Sequence, residues 1–329
     1  MQDRRRLPYI DLHCDTLTDW IDRGEILGLN HLPDKMCDLD RLYETGVRAQ
    51  MFAIFFPPPC HQPRPLTDQE IFDTSWQILQ EAARRHSRRF ALATSPEQIQ
   101  VNFAQGKVSG ILSIEDGRMV QGKLEQLDWL YQKGVRCMAL TWNFGDVNIP
   151  NCFGAPNSPE FQQVGLTDFG KEAVGYMQQL GMLVDVSHLS DGGFWDVVSH
   201  TDRPFIASHS NCRSLCPLLR NLSDPMIRAL ADRGGVSGVN FCPDLVKPGA
   251  TQCSAQELAA HVLHFVQVGG EDCVALGTDF DGIGGQVEVD EPGKMHLLFR
   301  ALRQQGMTPR QLDKFCYGNA LRVFQDAMK

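Results

Sequence analysis

Leu183-Val184-Asp185-Val186-Ser187-His188 is a short apolar run that ends on a histidine, and Phe205-Ile206-Ala207-Ser208-His209 repeats the pattern one helix later. Eight such runs recur along the chain: Tyr9 to His13, Val47 to Phe55, Gly110 to Ile114, Cys137 to Thr141, Leu183 to Val186, Phe205 to Ser208, Gly235 to Phe241 and Val274 to Gly277. Between them lie stretches of helical periodicity, among them Asp68 to Arg84, Leu124 to Lys133, Thr167 to Leu180, Asp224 to Arg233 and Ser254 to Val268. Several open on a Ser, Thr or Asp cap, and two end at a glycine, Gly134 and Gly181. Periodicity alone fits a doubly wound sheet as well as a (β/α)8 barrel. The polar residues separate the two. His13 and Asp15, Glu115, Asn143, His188, His209, Asn240 and Asp279 each stand at or just beyond the C-terminal end of a different run. In a barrel those ends converge on one mouth, where catalytic groups belong. The expected fold is a TIM-like (β/α)8 barrel occupying residues 1–329 as one domain. Phe56 to Thr67 and Phe144 to Leu166, rich in Pro, Gly and Asn, read as loops forming a lid over the mouth.

Composition narrows the function classes. A net charge of -9 argues against nucleic acid or an anionic membrane as a partner, because such partners reward clustered Lys and Arg. The one basic run, Arg4 to Arg6, reads as a solvated terminus, and the apolar stretch behind it is too short and too interrupted for a secretory signal. Nothing later resembles a membrane span, and the chain ends in Gln325-Asp326-Ala327-Met328-Lys329 without a hydrophobic tail. Eleven cysteines, an odd number without zinc-finger spacing, fit free thiols in a reducing cytoplasm, with Cys212 and Cys216 the nearest approach to a motif.

The strand-end residues are also a ligand set. The strand period of two puts His13 and Asp15 on one face with Cys14 on the other, so both can grip one ion. Imidazole beside carboxylate is what zinc accepts, and His188 and His209 extend the set. Glu115 supplies a carboxylate able to bridge two ions, and a buried Glu is costly unless paired or coordinated. In Gly277-Thr278-Asp279-Phe280-Asp281-Gly282, Asp279 is the candidate base, and Asp281 is expected to hold the following turn against backbone amides. Arg220 stands a short loop beyond His209 and could reach the mouth to bind a carboxylate. The remaining histidines, His31, His61, His86, His200, His261, His264 and His296, are expected to be solvated or packed.

These residues resemble those of the membrane or renal dipeptidase family, peptidase family M19, as a bacterial-type soluble member of the amidohydrolase-like barrels. The resemblance runs through nearly the whole chain, from His13-x-Asp15 through Ser113-Ile114-Glu115-Asp116-Gly117, Ser208-His209-Ser210, Arg220-Asn221 and Val239-Asn240-Phe241 to Asn319-Ala320-Leu321-Arg322-Val323-Phe324. It implies two zinc ions, one held by His13 and Asp15, the other by His188 and His209, with Glu115 between them. It implies a bridging hydroxide as nucleophile, Asp279 as proton carrier, and Arg220 as a clamp on the substrate's carboxylate or developing oxyanion. The substrate would be a dipeptide, contacted also by Trp142, Asn143 and Asn240, and the enzyme a homodimer. Trp142 departs from the family pattern, which carries a histidine there. Another dizinc hydrolase of a small amide or ester, or a metal-dependent binding barrel without turnover, are the competing expectations.

Overall fold

The computed structural model describes residues 7–26, 28–143 and 148–329, so the basic run Arg4 to Arg6 and the start of the second expected loop lie outside the described residues. All eight apolar runs form strands: β1 (Tyr9–Asp11), β2 (Val47–Phe55), β3 (Val108–Glu115), β4 (Val135–Ala139), β5 (Leu183–Asp185), β6 (Ile206–Ala207), β7 (Val236–Val239) and β8 (Val274–Leu276). Each pairs in parallel with the next, and Asp11 opposite Leu276 joins β1 to β8 and closes the barrel. Strands covered on both faces read as continuous apolar runs, which is why they stood out. Three further strands were not expected: Gln252–Cys253 and Gln286–Val287, which pair with each other outside the barrel, and Phe90–Leu92. Phe90–Leu92 pairs with β3 from Val108 to Gly110, ahead of the stretch from Leu112 onward that β4 takes up.

The expected helices are present, with boundaries set by their caps. Thr67 and Glu70 form a reciprocal capping box at the helix Asp68–Arg85, as do Ser254 and Glu257 at Ala255–Gly269. Gly181 takes a left-handed φ of 86° to end Asp168–Leu180. The terminal helix Asn319–Ala327 has a different task. Its Ala320, Val323 and Phe324 pack with Ile10, Ala49, Ile111, Cys137, Leu183, Ile206, Val236 and Ala275, one side chain from every barrel strand. These stand toward the strand beginnings, so the helix plugs the end of the barrel away from the mouth. A side chain on Gly277, in contrast, would place its Cβ 1.9 Å from the Ser208 carbonyl oxygen, so β6 and β8 approach below the mouth only because that residue has none.

Among the described residues no helix is long and apolar enough to cross a membrane. All eleven cysteines are free, and Cys212 and Cys216 give their thiol protons to the carbonyls of His261 and Asp244, a packing role.

Candidate metal centre and active site

At the mouth the chain turns sharply off each strand. Glu115 ends β3, His13 and His209 follow β1 and β6 by two residues, and His188 and Asp279 follow β5 and β8 by three. His188 and Asp279 hold left-handed backbone, φ 66° and 61°, a conformation rare for non-glycine residues that aims their side chains inward. All five, with Asp15, converge. Glu115 Oε1 lies 3.1 Å from His188 Nε2 and 3.4 Å from His209 Nε2, while its other oxygen, Oε2, lies 3.6 Å from His13 Nε2. His13 Nε2 is in turn 3.5 Å from Asp15 Oδ2 and 3.9 Å from Asp279 Oδ1.

The hydrogen bonds behind these side chains fix their tautomers. His188 Nδ1 donates to Asn143 Oδ1 at 2.7 Å, which leaves its Nε2 a bare lone pair. Ser208 Oγ gives its proton to the buried Asp185 carboxylate, so it accepts from His209 Nδ1 at 2.7 Å and leaves that ring's Nε2 bare as well. The two lone pairs then face each other across 2.9 Å. Facing lone pairs repel, and a cation beside them removes the repulsion.

The charges point the same way. Burial raises Asp15 and Asp279 above the usual carboxylate range, and repulsion from Glu115 adds to it. Burial pulls His188 and His209 well below the usual imidazole value, with the Arg220 and His13 cations adding to it. For His13 burial acts downward too, but Asp15 and Glu115 outweigh it and the ring is pushed well up. The Nε2 of His13 and Oδ1 of Asp15 have no hydrogen-bond partner among the described residues. A Cβ on Gly282 would come within 2.0 Å of Asp15 Oδ2, so the loop backbone closes directly over this group. Crowded carboxylates, bare imidazole nitrogens and orphaned buried atoms are a donor set that fits divalent zinc, and His13, Glu115 and His209 have ligand atoms within 4.8 Å of one another, as do His13, Asp15 and Asp279.

The site lies in a cleft of about 860 Å³ whose lining includes Phe55, Trp142, Asn157, Ser158, Leu218 and Arg220. Arg220 is 9% exposed; its Nη1 donates to Ser210 Oγ at 2.6 Å, and its Nη2 has no partner among the described residues. Trp142 packs on Phe55 with ring centres 4.6 Å apart, and together they make an aromatic wall.

One expectation, that for Asp281, is revised by the contacts. Asn240, expected to touch substrate, lines the cleft; its amide nitrogen donates to Asp279 Oδ2 at 2.8 Å and to the His209 carbonyl, and its oxygen accepts from the Cys242 amide, so it also holds Asp279. Asp281 does not hold its own turn; it accepts from the Met36 and Cys37 amides and from Thr16 Oγ1, tying a distant loop to the mouth. His61, expected to be solvated or packed, is exposed and borders the cleft. The sequence reading also passed over Asp11 and Asp185. Both are buried, and each braces segments that carry candidate site residues, Asp11 through Thr278 beside Asp279, and Asp185 through Ser187 and Ser208 beside His188 and His209. A charged residue inside an apolar run was their signal.

Comparison with known proteins gives the family and the fold. The family described as membrane dipeptidase (peptidase family M19) matches residues 4–329. An uncharacterised Klebsiella pneumoniae protein from the pqqA 5' region is 34% identical over 266 residues, 77% of this chain and 96% of that protein. Among solved structures, dipeptidase AC, a metallopeptidase of family M19, superposes with a TM-score of 0.88 at 25% identity, covering 98% of this chain and 99% of that one. A Rhodobacter sphaeroides metallopeptidase liganded with a phosphinate mimic of the dipeptide L-Ala-D-Ala gives 0.87 at 25% identity with the same coverage.

Proposed function

Since the chain belongs to the membrane dipeptidase family, peptidase family M19, and is on that ground a metallo-dipeptidase, we propose that it works as a binuclear zinc enzyme cleaving the single peptide bond of dipeptides. The observation that carries this reading is the division of Glu115, one oxygen toward His188 and His209 and the other toward His13. That division suits a carboxylate shared by two ions, with Asp15 completing one shell. When bound, the pair of ions supplies Lewis-acid polarisation of the scissile carbonyl and a water ionised near neutral pH.

The protein's own groups do the rest. Asp279, held by Asn240, takes a proton from the attacking water and returns it to the departing amine. Arg220, desolvated and already fixed by Ser210, presents a free N–H to an anionic group of the substrate. Trp142 and Phe55 shape the wall beside the metals. Free and largely buried thiols suit a reducing cytoplasm as the place where it acts.

The test is a dipeptide panel assayed for free amino acids before and after chelation, with zinc restored afterwards. We expect release that follows zinc; ester or acyl-amide hydrolysis without dipeptide cleavage would move the assignment to another hydrolase. A second expectation concerns Arg220. A planar guanidinium matches a carboxylate in a way an ammonium does not, so Arg220→Lys should cost about 1.5 to 3 kcal/mol in kcat/KM. Wild-type enzyme that turns over dipeptides and their C-terminal amides equally would remove the carboxylate role.

A further inference from the structure

Resting on the dipeptidase reading, we infer that Ser158 is a second donor to the substrate's C-terminal carboxylate, acting beside Arg220. Ser158 is 4% exposed, lines the cleft, and its Oγ has no hydrogen-bond partner among the described residues. A buried hydroxyl in a folded protein is nearly always bonded, so one left bare at the wall of a ligand cleft marks the place of a missing partner. The same is true of Arg220 Nη2 in the same cleft.

The backbone ties the two together. The Asn157 amide donates to the His188 carbonyl at 2.7 Å, and its side-chain nitrogen donates to the carbonyls of Leu189 and Leu219. Residue 158 is therefore fixed between the turn that carries His188 and the loop that carries Arg220. One group is a cationic N–H donor, the other a hydroxyl free to donate. Two donors fixed on adjoining segments match the two oxygens of a carboxylate, whereas an ammonium would face the guanidinium and be repelled. Leu218 and Leu219 line the same part of the cleft, so the side chain next to that carboxylate meets apolar surface.

The test compares a dipeptide with its C-terminal amide as substrates for zinc-loaded wild type and Ser158→Ala, with zinc content and melting temperature measured alongside. Ser158→Ala should raise KM for the free acid by about 5- to 20-fold, as loss of one charge-assisted bond does, leave kcat within about twofold, and leave the amide's constants unchanged. Ser158→Thr, which keeps the hydroxyl, should restore part of the loss. A phosphinate dipeptide mimic with a free carboxylate should lose affinity in calorimetry by the same factor, and its carboxamide counterpart should not. An unchanged acid-to-amide ratio in a folded, zinc-loaded Ser158→Ala protein, with wild type active on dipeptides, overturns the inference and leaves the dipeptidase reading standing. A drop in kcat equal for acid and amide also overturns it, by placing the hydroxyl at the reacting carbonyl. A wild type without dipeptide turnover overturns the reading and the inference together.

Discussion

Glu115→Gln is expected to lower kcat at least about a thousandfold, some 4 kcal/mol, while the barrel stays folded and bound zinc falls from about two ions per chain to one or fewer. A carboxamide matches the carboxylate in shape, so packing around a residue only 3% exposed is preserved. What changes is the chemistry. Glu115 now turns one oxygen to His188 and His209 and the other to His13, and glutamine replaces one of those oxygens with an NH2 that cannot coordinate a cation. Elemental analysis beside a melting curve reads both effects. If the variant holds two ions and keeps its rate, Glu115 does not join two metal positions and the binuclear reading fails.

Asp279→Asn is expected to cost about 10²- to 10⁴-fold in kcat, the range of a lost general acid–base, with zinc content unchanged. The substitution is structurally mild. Asparagine tolerates the left-handed φ of 61° as aspartate does, and its side-chain oxygen can still accept from Asn240 Nδ2. What it lacks is the capacity to take and return a proton. Because the carboxylate must be ionised to accept one, activity of the wild type should fall toward acid, and that limb of the kcat/KM profile should vanish in the variant. A variant with the same acid limb as wild type would place the base elsewhere.

The barrel was legible because its strands are covered on both faces and so appear as unbroken apolar runs, each punctuated by a polar residue where it reaches the mouth. His13, Glu115, His188 and His209 could be picked out for that reason alone. The short strand Phe90–Leu92 could not, because three residues between two helices carry no period. Asn240 was recognisable as a residue of the mouth but not as the holder of Asp279, since which way an amide faces depends on the strand beside it. Ser158 was hidden for a different reason. It sits in an irregular segment rich in Pro, Gly and Asn, where no repeat separates a buried hydroxyl from the solvated ones around it.

Barrel closure between Asp11 and Leu276 sets a timetable for the chain as it is made. His13 and Asp15 leave the ribosome first, and Asp279 follows 266 residues later (279 − 13). At ordinary rates of synthesis that gap is roughly 15 to 50 s. Throughout it the strand that carries this pair has no neighbour on its β8 side. Parallel pairing between strands so far apart in the chain is slow to form. The meeting of Asp279 with His13 therefore waits for the last strand to dock.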